Sequence, residues 1–210
     1  MPRSASSTPL GGRRRRQGSR TRFLVNDVEA CELDGGFDYV FSRFGTMFFA
    51  NPVVALGNLR QALVPGGRLC MVVWRRKFDN AWLYRAERVA KRFSTRPEAT
   101  DQPTCGPGPF SMADAGTTTD VLVQAGFEEI SLNRCDIEIA IGADLEQTVQ
   151  LVMALRPAGE LIRLAASQAE RRHSQIVAAL EAALVELQEP DGTVRAPAST
   201  WIIGARSPGT

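Results

Sequence analysis

The sequence is poor in the residues that most often carry chemistry. It has one histidine and four cysteines, and no apolar run longer than the six residues Leu69–Trp74. Six residues are far too few to cross a bilayer, so no membrane span is expected. Cys31, Cys70, Cys105 and Cys135 lie thirty or more residues apart, with no C-x-x-C pair and no Cys/His cluster. That spacing excludes the usual zinc frameworks, and no metal site is expected. No apolar stretch of signal-peptide length follows the basic start, because Phe23-Leu24-Val25 runs directly into Asn26-Asp27. The thiols are therefore expected to be reduced, in a cytoplasmic protein. His173 shares a helical face with Ile176, Val177, Leu180 and Leu184. That is the setting of a packed or rim histidine rather than of a catalyst.

Acid is also missing, over one stretch. Residues 1–26 hold seven of the 25 basic residues and no carboxylate, which leaves 18 basic against 23 acidic residues in the rest. The net charge of +2 is thus a basic tail added to a mildly acidic body. The tail, residues 1–21, is built mainly from Ser, Pro, Gly and Arg, and Leu10 is its only large aliphatic after Met1. Such a segment buries too little apolar surface to offset its ordering entropy and is expected to be disordered. Arg13-Arg14-Arg15-Arg16 could meet phosphates, but no aromatic interleaves with the run to stack on bases. A nucleic-acid partner is not expected. The body, residues 22–210, has ordinary globular composition, with a 44% hydrophobic share over the whole chain. It is long enough to build a core without disulfides or metals.

Phe37–Ser42 is short, aromatic and β-branched, and reads as a buried strand. After a loop, Asn51-Pro52 offers an N-cap and a proline at the first helical position. Val53, Leu56, Leu59 and Leu63 recur at helical spacing, which predicts a helix over 52–64, stopped by Pro65-Gly66-Gly67. Arg68–Trp74 reads as a second strand, and the strand-helix-strand unit implies parallel pairing. Further along, helices are expected over 81–93, 114–125, 144–155 and 158–188, with a long or broken strand over 127–141 and a last strand over 200–205. Thr95–Met112, with four prolines and two glycines, reads as loop. The sum is an α/β domain with a mostly parallel sheet.

The middle of the chain resembles the class I S-adenosylmethionine-dependent methyltransferases. "FDYVFS" resembles that family's fourth strand, "LVPGG" the end of the following helix and "GRLCMVVW" the fifth strand. Upstream, "RFLVNDVE" resembles the third strand and the acid after it. Downstream, "GPGPFSMADAGTTTDVLVQAGFEEISL" resembles the linker, helix and sixth strand of small-molecule members. The resemblance covers residues 22–206. It implies a Rossmann-like sheet with a helical insertion, residues 144–188, before the last strand. It also implies S-adenosylmethionine as cofactor and a small-molecule methyl acceptor. Asp27 would then hydrogen-bond the adenine amino group, with Val28 giving a backbone contact. Ser42, Arg43 and Phe44 would line the methionine side, and Met47, Phe48 and Phe49 would stand near the sulfonium. No catalytic residue stands out.

The family's first strand and its D-x-G-x-G-x-G loop, and the acid after its second strand, have no counterpart before Asp27. Glycines serve in such a loop because a Cβ would clash with the cofactor. The resemblance therefore implies an N-terminally truncated sheet, in which the third-strand segment has no neighbour in register and the fourth strand is an exposed apolar edge. Half of the cofactor cleft would be absent, which predicts weak binding of S-adenosylmethionine or none. The alternative to an enzyme is accordingly a non-catalytic relative or fold remnant.

Overall fold

A computed structural model describes residues 21, 23–93, 107–155 and 170–209. The stretch read as a disordered tail, apart from Thr21, lies outside them, as does most of the proline-rich loop.

The first strand, β1 (Phe37–Arg43), leads through a short 3₁₀ turn at Thr46–Phe48 into α1 (Pro52–Ala62). The Asn51 side chain accepts the Val54 N–H at 3.2 Å, so the cap and the proline at the first helical position do what their spacing predicts. α1 ends at Ala62, and β2 runs over Leu63–Trp74, through the Pro65-Gly66-Gly67 expected to separate helix from strand. The two glycines make this possible. Gly66 sits at φ +75°, and a Cβ on Gly67 would come within 2.9 Å of the Val64 carbonyl oxygen. The segment is also clamped, because Gly66 N–H donates to the Ser207 carbonyl and Ser207 N–H to that of Gly67. Pairing of β1 with β2 is irregular here, between Phe37 and Tyr39.

α2 (Ala81–Arg92) and α3 (Ala115–Gln124) follow, then one long strand β3 (Glu128–Gly142). α4 (Leu145–Ala154) and α5 (Glu170–Leu184) form the insertion before β4 (Val194–Arg206). β4 starts six residues earlier than its apolar stretch suggested. The sheet order is β1-β2-β4-β3. Only β1 and β2 are parallel, while β4 runs antiparallel to both of its neighbours. The expectation of a mostly parallel sheet is corrected for a plain reason: the strand-helix-strand cue tested the first pair alone. The alternation along β3 was the half-exposed pattern of an antiparallel strand. The third-strand segment forms no strand; Phe23, Leu24 and Val25 are exposed and unpaired in the sheet. Among the described residues β1 is the edge strand of the sheet.

Two cores flank the sheet. On one face Leu56 of α1 and Leu122 of α3 cover Leu69, Met71, Val73 and Ile203. Around the far end of β3 and β4, Trp82 and Val89 of α2, Val149 and Val152 of α4, and Ile176, Leu180 and Leu184 of α5 enclose Ile141, Val194 and Ala196. Each fully buried leucine contributes roughly 1.5–3 kcal/mol. His173, one turn before Ile176, is exposed at the start of α5.

Candidate functional site

The carboxyl ends of β1 and β2 form the neighbourhood to which the sequence assigns ligand contacts. There the chain leaves β1 through Phe44, whose N–H donates to the Val72 carbonyl at 2.9 Å. Phe44 has φ +57°, a left-handed conformation that costs a residue with a Cβ about 1 kcal/mol or more. Its ring stacks on Trp74, with centroids 4.5 Å apart and planes 19° from parallel. Trp74 in turn meets Trp82 edge-on at 6.3 Å. The strained backbone is what turns the Phe44 ring back over the end of β2. Ser42 is half-buried and Arg43 exposed. A side chain at Gly45 would stand 3.2 Å from the Ser42 Oγ.

Met47, expected in the wall of the site, is instead a core residue at 1% exposure. Its sulfur accepts the Trp74 N–H at 3.4 Å. Its carbonyl accepts the Gly108 N–H at 2.9 Å and the Ser111 hydroxyl at 2.7 Å. Residues 107–112 are thereby pinned beside the strand ends. Phe48 is exposed and Phe49 half-buried.

Asp27 and Val28 lie in a turn. The Asp27 Oδ1 accepts the Glu29 N–H at 3.0 Å, and its carbonyl accepts those of Ala30 and Cys31. The plain role of a turn acid is therefore realised. The same turn is fastened to the start of α1. The Glu29 carboxylate accepts the N–H groups of Ala50 at 2.6 Å and Asn51 at 3.0 Å, and the Asn58 amide donates to the Val28 carbonyl at 2.8 Å. The structure thus draws Asp27 and Val28 toward the loop that follows Arg43 and Phe44. The Glu29 clasp had no signal in the sequence, where an exposed glutamate in a polar stretch looks like any other. Trp74 did leave one, as an aromatic residue at the carboxyl end of a buried strand.

Beyond β2 a polar network ties three strands together. Arg75, 6% exposed, donates to the Ser199 hydroxyl at 2.9 Å and lies 3.6 Å from the Asp79 carboxylate and 3.8 Å from that of Asp136. Its guanidinium stands 4.6 Å from the centre of the Trp201 ring, and the Trp201 indole N–H donates to the Ala113 carbonyl. The Ser199 hydroxyl donates to Asp136 at 2.5 Å, and Arg134 does the same from the other side. The Ser199 hydrogen bond above all, then Arg134 and Arg75, hold the Asp136 carboxyl below its usual pKa. A cleft of about 370 Å³ opens here, lined by Asp79, Asp136, Glu138 and Ser199 among others. Three buried polar atoms in this region have no hydrogen-bond partner: Thr46 Oγ1, Trp82 Nε1 and Arg75 Nε. Among the described residues, no group of three or more His, Cys, Asp or Glu side chains could hold a metal ion. No helix among them is long and apolar enough to cross a membrane.

Residues 6–71 match the family model of the methyltransferase domain. That match begins inside the segment read as a tail. No curated protein matches the chain in sequence. Among solved structures, a protein of Bacillus halodurans C-125 assigned provisionally as a methyltransferase aligns with 91% of this chain and 74% of its own, at 16% identity and a TM-score of 0.51. The YcgJ protein of Bacillus subtilis aligns over 89% of this chain and 71% of its own, at 12% identity and a TM-score of 0.47. Phosphoethanolamine N-methyltransferase 2 of Haemonchus contortus, solved with S-adenosylhomocysteine, aligns over 90% of this chain and 37% of its own, at 14% identity and a TM-score of 0.42.

Proposed function

We propose that the chain is a relative of the class I S-adenosylmethionine-dependent methyltransferases, that it binds S-adenosylmethionine at the carboxyl ends of β1 and β2, and that it methylates a small molecule; the match of residues 6–71 to the methyltransferase domain model and the likeness in fold support this reading. S-adenosylmethionine is that family's cofactor, and Asp27, Val28, Ser42, Arg43 and Phe44 are the residues that would hold it. The observation that carries the reading is the Phe44–Trp74 stack, with the orphaned Thr46 hydroxyl and Trp82 indole N–H nearby. A strained, aromatic, incompletely hydrogen-bonded strand end is what a ligand site in an open α/β sheet looks like.

When bound, the cofactor supplies an electrophilic methyl group on a sulfonium. In this proposal Asp27 and the Val28 backbone hold the adenine side, and Ser42 and Arg43 the methionine side. Phe44 and Trp74 form an apolar wall that keeps water from the transfer. Residues 107–112, fastened through Met47, and the helices α4 and α5 cover the acceptor. No base is assigned, and in-line positioning with exclusion of water would supply the rate. The chain works in the cytoplasm in this reading, which suits the free thiols of Cys31, Cys70 and Cys135.

One observation favours the second reading, a non-catalytic relative. Among the described residues no strand lies outside β1, so the cleft is open on that side. Calorimetric titration of the chain with S-adenosylhomocysteine decides between them. Micromolar binding that weakens about tenfold in Phe44→Ala, a loss of about 1.4 kcal/mol, supports the methyltransferase reading. A folded chain that shows no heat at millimolar ligand supports the other.

A further inference from the structure

The outer edge of β1 is unpaired among the described residues. Its sequence, FDYVFSR, has little of the usual protection of an edge strand: it holds no lysine or proline, its charges Asp38 and Arg43 and its irregular pairing lie toward its ends, and aromatics stand at every second position from Phe37 to Phe41. Val40 packs into the α1 and α3 core, so its neighbours Tyr39 and Phe41 turn to the opposite face. There Phe37, Tyr39 and Phe41 are 49%, 53% and 61% exposed, and the apolar surface continues across the half-buried Cys70 and Val72 to the exposed Ile202.

We propose that a second copy of this chain covers this edge, by antiparallel pairing of β1 with β1 about a twofold axis at Val40. The strand is complementary to itself in that register. All seven residues pair, and the apolar stripe of both copies stays on one face of a continuous sheet. Tyr39 stands opposite the partner's Phe41 and Phe41 opposite the partner's Tyr39, giving a cluster of four rings. Asp38 meets the partner's Ser42, and Arg43 meets the partner's Phe37, so no like charges face each other. A shift by one residue would put the stripe of one copy on the other face. A shift by two in either direction leaves five residues paired. Residues 1–20 are the obvious intramolecular rival, but they hold a single large aliphatic after Met1 and four consecutive arginines, a poor match to an aromatic stripe.

The three half-exposed rings offer roughly 300 Å² of apolar surface per copy. Stable interfaces bury about 1,200–2,000 Å² in total, so the pairing is weak and depends on concentration. It has a consequence for the site, one that rests on the cofactor reading above. The partner's Phe37 arrives beside Arg43 and closes the open side of the cleft.

Sedimentation velocity of the full chain from about 2 to 200 µM, without ligand, tests the pairing. The weight-average mass should rise from 22.9 kDa toward twice that value. Phe41→Lys and, separately, Tyr39→Lys should each weaken dimerisation at least tenfold while keeping the circular dichroism of the parent. Amides of residues 37–43 should exchange more slowly as concentration rises. A chain that stays monomeric throughout, or a dimer that both lysine variants leave intact, overturns the proposal. So does a dimer that is lost only on deleting residues 1–20. Because no ligand is present, failure here leaves the cofactor reading to its own titration.

Discussion

Asn80 is fully buried between the end of β2 and the start of α2, and its side chain uses both ends. The amide donates to the carbonyls of Ser199 at 3.0 Å, Arg76 at 3.2 Å and Arg75 at 3.5 Å. Its oxygen accepts the Ser199 N–H at 2.9 Å. Replacing it by alanine leaves that buried N–H without a partner, which costs about 1–3 kcal/mol by itself. The carbonyl of Ser199 keeps a donor in the Arg75 N–H, so its loss is smaller, and the vacated volume adds to the total. A loss near 3 kcal/mol follows, or roughly 6–12 °C in Tm for a domain of this size. Urea denaturation followed by tryptophan fluorescence measures it. Trp74 and Trp201 lie close to the change, so the folded baseline should move as well. Asn80→Asp separates hydrogen bonding from volume. It keeps the acceptor for Ser199 but points a carboxylate at two or three carbonyl oxygens, so it should be at least as damaging as alanine. A loss below 1 kcal/mol in Asn80→Ala, or an Asn80→Asp variant close to wild type, would show that the network does not hold the strand ends together.

Three other perturbations have signs that the geometry sets. Phe44→Ala loses the stack on Trp74 and keeps the strained φ of +57°, whereas Phe44→Gly loses the stack and relieves the strain. Glycine should therefore be the less damaging by about 1 kcal/mol in chemical denaturation, and the reverse order would refute the strain. Asp136 is held below its ordinary value of 3.8, chiefly by the Ser199 hydroxyl. A depressed carboxyl stabilises the fold above its unfolded pKa, and that contribution is lost as pH falls through the folded value. Asp136→Asn should thus be less stable than wild type at pH 7, and their urea midpoints should converge in acid; a gap that stays constant down to pH 2 would contradict the assignment. A Cβ on Gly142 would run into the Thr148 hydroxyl and come within 2.8 Å of the Asp144 carbonyl oxygen, while one on Gly35 meets nothing within 4 Å. Gly142→Ala should cost about 1–3 kcal/mol by thermal denaturation and Gly35→Ala close to none; equal effects would refute the packing at the β3–α4 corner.

The elements that a short window defines were legible in the sequence. Asn51-Pro52 with its leucine spacing carries its whole signal within a few residues, as does the helix expected over 114–125 and found over Ala115–Gln124. What pairing decides was not legible. β4 lies between β2 and β3 and runs against both because of contacts between residues far apart in sequence, as in Met71 opposite Ile203 and Glu128 opposite Arg206. Its first six residues, with Pro197 among them, look like loop until β3 is placed beside them. Around the candidate site, the strand end at Ser42, Arg43 and Phe44 could be located from sequence because a strand end is a local event. Glu29 and Ser199 could not, because each acts through a hydrogen bond to a distant segment.

Trp74 shows why site and stability are hard to separate in this chain. It packs against both hydrophobic cores, the one under α1 and α3 and the one enclosed by α2, α4 and α5. It is also the floor on which Phe44 stacks, and its backbone N–H donates to the Met47 sulfur. A ligand that settles against Phe44 therefore presses on a residue shared by both halves of the interior. Binding energy at that point adds directly to global stability, by an amount set by ligand concentration over Kd. Loosening either core in turn moves the wall of the site. If S-adenosylhomocysteine binds at the ends of β1 and β2 as proposed, Leu56→Ala and Leu180→Ala, in separate cores on either side of Trp74, should each weaken it in the calorimetric titration although neither residue is part of that wall; folded variants with unchanged affinity would refute the coupling.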